Sequence, residues 1–201
     1  MMKKVLSSAI LLASVAAGAG ENYFSNEWDA KGLIAIEGSG GSMSLTQQNA
    51  STITTDDSTG AGSVALKLGG ESKYYRLFLE GRYYMLDASG FESSKAASLG
   101  LQVDYLIRAG EHFNIFMGLN GGGIYSKFEE KKVSGSTSSN QHTNQDGYVG
   151  AQAGVNIDII ENLGIELGGR AKYVFTDDDV YAISNAYEGY VAIVFKFTGE
   201  Y

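Results

Sequence analysis

Apolar residues recur at every second position through eight separate stretches of this 201-residue chain. A period of two puts successive side chains on opposite faces of an extended strand, so the pattern specifies β structure and not the stripe of an amphipathic helix. One parity reads Ile34, Ile36, Gly38, then Val64, Leu66, Leu68, then Tyr75, Leu77, Leu79, Gly81, Tyr83, Met85, then Ala97, Leu99, Leu101, Val103, Tyr105, Ile107. It continues through Phe113 to Tyr125, Val149 to Ile159, Leu163 to Tyr173 and Tyr187 to Phe197. The other parity carries Glu37, Lys67, Arg76, Glu80, Arg82, Asp104, Glu166, Arg170, Lys172, Glu188 and Lys196, with Gln102, Asn114, Asn120, Gln152 and Asn156 among them. The chain is predicted to be all-β, each strand having one apolar and one charged face.

A soluble sandwich alternates in the same way, so other features decide what each face meets. Connections near 69–73, 109–111 and 160–162 are short, whereas those near 39–62, 86–95, 126–146 and 176–186 are long and polar, in strict alternation along the chain. In an up-and-down barrel that puts every short turn at one end and every long loop at the other. On the apolar parity, Tyr75, Tyr105, Phe113, Phe195 and Phe197 fall beside short turns or the chain end, and Tyr83, Tyr125, Tyr173 and Tyr187 fall near the long loops. Two aromatic girdles flanking a band of Leu, Ile, Val, Ala and Gly are the pattern of a membrane barrel. Segments of about 10 to 13 residues, tilted near ~40°, also reach across an apolar band. The predicted fold is an eight-stranded antiparallel up-and-down transmembrane β-barrel over 32–201. A soluble lipocalin-type barrel, the alternative, would have the apolar parity inside.

The first residues read differently. Lys3 and Lys4 precede a short apolar run to Val15, and Ala17-Gly18-Ala19 supplies an A-x-A cleavage pattern. This predicts a secretory signal peptide over 1–19, followed by a periplasmic N-terminal segment over 20–31. Cleavage removes two of the 15 bases and none of the 23 acids. The acidic balance excludes a nucleic-acid partner, which needs a basic footprint. With no Cys, disulfide frameworks and thiol chemistry are excluded.

The ending from Val191 to Tyr201 alternates and closes on aromatics, with Ile193, Phe195, Phe197 and Tyr201 at the signal positions. It resembles the C-terminal signature of outer-membrane barrels, and the mature chain resembles the small OmpA/OmpX-type barrel family of Gram-negative bacteria. The resemblance implies residence in the bacterial outer membrane, contact with its lipid and lipopolysaccharide, handling by the barrel-assembly machinery and a monomeric state. Because the chain ends at the barrel, the periplasmic domain of two-domain OmpA proteins is not expected.

The interior of an eight-stranded barrel is just wide enough for side chains to fill it, so the inward charges are expected to form a structural plug. Symmetric hairpins would set Arg76 opposite Asp104, Glu166 near Lys196 and Lys172 near Glu188. Inward Gly100, Gly118, Gly150, Gly154, Gly164 and Gly168 would leave room for water. Chemistry is weakly signalled: His112 and His142 lack metal-ligand spacing, and His142 with Ser134, Ser136, Ser138 or Ser139 reads as a solvated loop. Asp56, Asp57 and Asp177 to Asp179 likewise read as solvated loop acids. No catalytic, cofactor or metal residue is expected. The leading reading is a surface-interaction scaffold that meets an extracellular partner through its loops. The alternatives are a narrow porin-like channel for ions or small solutes and a lipid-modifying barrel enzyme.

Overall fold

Eight antiparallel strands follow one another around a closed barrel, each bonded to its neighbours in sequence and β1 to β8. They are β1 (Lys31–Asn49), β2 (Thr52–Glu71), β3 (Tyr75–Asp87), β4 (Phe91–Arg108), β5 (Phe113–Glu130), β6 (Gln141–Ile160), β7 (Leu163–Phe175) and β8 (Tyr181–Thr198). The computed structural model describes the backbone of 31–49, 52–87, 91–130, 141–175 and 181–198, and the side chains of 31–44, 58–87, 94–127, 143–175 and 183–197. The signal peptide, most of the segment 20–31, and Tyr201 lie outside the described residues, as do the side chains of Asp56, Asp57, His142 and Asp177 to Asp179.

Following the register from Leu33 through Gly69, Phe78, Gln102, Asn120, Gly150, Lys172 and Ala186 returns to Met43, ten residues further along β1. For eight strands that stagger sets a tilt of roughly 40° and a radius of about 8 Å. Such a lumen holds side chains and little else.

The apolar parity faces outward: Leu99 is 62% exposed, Leu119 64% and Ile36 58%, and no charged residue interrupts the belt between Tyr75 and Tyr83 or between Phe197 and Tyr187. From Tyr75 to Met85 the belt spans about 25 Å along the axis at that tilt, the height of a bilayer's apolar band. The lipocalin-type alternative, with its apolar face inside, is overturned. A continuous apolar exterior over a charged interior is a surface built for hydrocarbon.

The segments expected as long loops are mostly ladder. Ser39 to Asn49 pair with Ser63 back to Thr52, Leu86 pairs with Ser94, Ser126 to Glu129 pair with Asn144 back to Gln141, and β8 already starts at Tyr181. Serine, threonine and glycine carry the pairing there, because the wall has passed beyond the apolar band and its outer face turns polar, with Asp87, Lys95 and Thr143 exposed. The inner face changes too. Met43, Ala61, Leu86, Ala96, Ile124, Val174, Ile183 and Ala186 meet beneath the rim with Tyr84 and Tyr148 as a buried apolar layer across the lumen.

Candidate functional site in the barrel lumen

Alternation sends every second side chain of all eight strands into one narrow tube, and an unpartnered charge there is costly. All eleven charged residues expected in the lumen are buried there. They sort into tiers along the axis.

In the central tier, Glu37 on β1 accepts from three bases. Arg170 donates through Nη1 at 3.1 Å and Nη2 at 3.2 Å, and Arg82 and Lys67 make close contacts with the same carboxylate. Arg82 also grips Glu80 with a fork, Nε to Oε1 at 2.9 Å and Nη2 to Oε2 at 3.0 Å. Glu188 accepts from Ser39 at 2.9 Å and lies 3.7 Å from Arg170. Lys172 donates to Tyr84 Oη at 2.7 Å and stands 3.7 Å from Glu80.

Gln152 ties this tier to the one below. Its Oε1 accepts from Arg170 Nε at 3.0 Å, and its Nε2 donates to Asp104 at 2.7 Å. Asp104 also receives Gln102 at 2.8 Å and Arg76, whose other partner is Glu166 at 2.8 Å. At the short-turn mouth Lys196 bridges Asp158 at 2.9 Å and Glu71 at 3.3 Å.

One of the three expected cross-strand pairs forms as drawn: Arg76 is the register partner of Asp104. The other two do not. Arg170, not Lys172, opposes Glu188, and Glu166 opposes Ala192, leaving its carboxylate to Arg76 and Lys196 to the mouth. The β7–β8 hairpin is centred two residues nearer β7's side than symmetry about the polar stretch implied, since β8 begins inside that stretch.

Sequence reasoning missed the lumen's aromatics. Phe78, Tyr84, Phe116, Tyr148 and Tyr190 all point inward and face the bases: Arg170 lies 4.7 Å from the Tyr190 ring centre, Arg76 4.9 Å from that of Phe116, and Lys172 4.6 Å from that of Tyr148. Glu71 and Asp158 were missed as well, being at strand ends. Three of the six inward glycines expected to leave room for water, Gly100, Gly154 and Gly168, instead lie under rings, while Gly118, Gly150 and Gly164 lie against polar groups. A β-carbon on Gly168 would sit 2.6 Å from Tyr190, one on Gly154 2.5 Å from Phe116, and one on Gly100 2.2 Å from Tyr148 Oη. Gly154 and Gly168, each with an aromatic cross-strand neighbour, are the signal that could have placed the rings inside.

Tyr75, Tyr83, Tyr105, Phe113, Tyr125, Tyr173, Tyr187, Phe195 and Phe197 are exposed on the outer face, joined there by Phe175, and Tyr74 is exposed at a short turn. Tyr75 and Tyr105 meet edge to face with centroids 5.4 Å apart. Ile193, Phe195 and Phe197 lie outward on the strand that closes the barrel, opposite Ile36, Ile34 and Gly32 of β1. His112 is exposed at a short turn, where its carbonyl accepts from the Asp158 amide at 2.8 Å.

No protein-family profile and no curated protein matches the sequence. Among solved structures the chain is similar to neisserial surface protein A, at 14% identity and a TM-score of 0.62 over 87% of this chain and 100% of that one. It is also similar to Ail, the attachment invasion locus protein of Yersinia pestis, at 13% identity and a TM-score of 0.48 over 82% of this chain and 99% of that one. The N-terminal β-barrel domain of Pseudomonas aeruginosa OprF matches at 14% identity and a TM-score of 0.46 over 82% and 97%. The neisserial likeness carries the fold: this chain has the architecture of the small eight-stranded outer-membrane barrels.

Proposed function

We propose that the protein is a monomeric, non-enzymatic barrel of the bacterial outer membrane whose lumen is closed and whose work is done at its outer rim. The observation that carries this reading is the lumen's filling. Three tiers of mutually paired charges and stacked rings lie beneath an apolar layer formed by Met43, Leu86, Ile124, Val174 and Ile183. An ion would have to break several buried pairs and then cross a dry constriction. With transport disfavoured, the hairpins that rise past the apolar band are the part free to meet an extracellular partner. The wall itself serves lipid and lipopolysaccharide, and the β8 ending serves the assembly machinery.

Several lumen oxygens without a hydrogen-bond partner, among them Gln102 Oε1, Asn120 Oδ1 and the Tyr190 hydroxyl, favour the second reading, a narrow hydrated path. Conductance of the refolded mature barrel in planar bilayers separates the two. A silent barrel that keeps its heat-dependent gel shift supports the scaffold. Reproducible steps that change in Arg82→Gln would replace it with the channel. For the rim, deleting 45–56 should leave the gel shift intact while abolishing adhesion of barrel-bearing vesicles to cells; unchanged adhesion would remove that hairpin from the proposal.

A further inference from the structure

The tiers of the lumen are not equally balanced. Around Glu37 the bases Lys67, Arg82, Arg170 and Lys172 exceed the acids Glu37, Glu80 and Glu188 by one. Below them, in the short-turn half of the tube, the acids Glu71, Asp104, Asp158 and Glu166 pair with Arg76 and Lys196, and Lys31 stands on the same face at the register position of Glu71.

Within that half, one rung of the sheet concentrates acceptors without donors. Asn114, Asn156 and Glu166 are consecutive register partners on β5, β6 and β7, exposed by only 3%, 1% and 1%. Asn114 Oδ1, Asn156 Oδ1 and Glu166 Oε1 are all buried without a hydrogen-bond partner. Directly opposed side chains on one face of a sheet have β-carbons about 5 Å apart, close enough for their tips to share a ligand. The amide of Asn156 is oriented by Asp158, whose Oδ1 accepts from Nδ2 at 2.7 Å.

Asp158 stands two residues nearer the mouth, at a bulge in β6, with 17% of its side chain exposed. A β-carbon on Gly164 would lie 2.9 Å from Asp158 Oδ1, 3.2 Å from Asn156 Oδ1 and 3.3 Å from the main-chain oxygen of Ile157. The glycine therefore leaves three oxygens facing one space. Unsatisfied buried oxygens cost stability unless a cation joins them.

We propose that Asp158, Asn156, Glu166 and Asn114 form a site for one hard divalent cation of calcium's size, entered from the short-turn mouth past Asp158. No three acidic or imidazole side chains converge among the described residues; the site draws half its ligands from amides. Calcium accepts mixed carboxylate and amide oxygens at ~2.3–2.6 Å in irregular arrangements, whereas magnesium demands a near-octahedral set. The ammonium of Lys196 now caps Asp158, and on cation entry it retains its second partner, Glu71. Lys196 is thus the competitor of the site.

The test is equilibrium dialysis of calcium alone against the refolded full barrel after chelator treatment, with the heat-dependent gel shift followed in parallel. One saturable site per barrel is expected, with a rise in the unfolding temperature, because a ligand that binds only the folded state stabilises it. Asn114→Ala and Glu166→Gln should each weaken binding at least tenfold, Lys196→Met should tighten it, and Asp87→Asn on the outer face should leave it unchanged. Absence of saturable binding overturns the proposal. So does binding that Asn114→Ala leaves intact, and this variant decides alone if Glu166→Gln does not refold, since Asn114 takes no part in the ion pairs.

Discussion

Replacing Glu37 by Gln removes a carboxylate that Lys67, Arg82 and Arg170 share. Its partners Lys67, Arg82 and Arg170 have side chains no more than 1% exposed, so solvent screens none of the loss. The substitution raises the central tier's surplus from one positive charge to two, and Arg170 loses its paired contacts of 3.1 and 3.2 Å. Removing one partner of a buried ion pair costs about 3–5 kcal/mol, largely from the charge left behind. At ~1.4 kcal/mol per factor of ten, the unfolded-to-folded ratio should rise between about a hundredfold and a few thousandfold. Urea titration of the barrel refolded in lipid vesicles, read by the gel shift and by far-ultraviolet circular dichroism, measures the change. A double-mutant cycle with Lys67→Met isolates the pair: the second substitution should restore part of the loss by removing one uncompensated base. A loss below about 1 kcal/mol would refute the reasoning, because pairs of that strength are characteristic of water-screened sites. It would also reopen the hydrated path.

Leu119 lies exposed at mid-height on the outer wall, so Leu119→Arg should cost about 2–4 kcal/mol in vesicle refolding equilibria, as expected at a bilayer midplane. A change near zero would mean that this face meets water. Gly168→Leu should destabilise the barrel by about 1–3 kcal/mol by overpacking against Tyr190, and Tyr190→Ala in the same chain should recover most of it in the urea midpoint. Phe116→Ala should cost about 3–5 kcal/mol by opening a cavity beside Arg76 and Gly154; retention of the wild-type midpoint would show that the ring is not packed in the lumen.

Alternation determined the strands and their two faces, and loop asymmetry with the aromatic girdles determined the membrane barrel. Ile34, Ile36, Leu77, Leu79 and their counterparts fix which face of each strand meets hydrocarbon, and the fixed period of two then places Glu37, Arg82 and Arg170 inside without reference to any partner. The aromatic positions at both ends of that face were legible for the same reason. Partnership was not. Whether Lys172 or Arg170 opposes Glu188 depends on where β8 begins, and a shift of two residues keeps every side chain on its face while changing every neighbour.

The upper wall was read as loop because its outer face loses its apolar residues beyond the bilayer, while the pairing itself continues. The crossover is written in runs such as Tyr83-Tyr84-Met85-Leu86 and Tyr173-Val174-Phe175, apolar on both faces, which a search for alternation skips. Closure decided the rest. Ten residues of stagger bring β1, β3 and β7 within reach of one another across the tube, so that Glu37 meets Arg82 and Arg170, 45 and 133 residues away in the chain. Local pattern sets the face of a side chain because sterics act between adjacent residues; its partner is set by the curvature of the whole sheet, which only the folded barrel possesses.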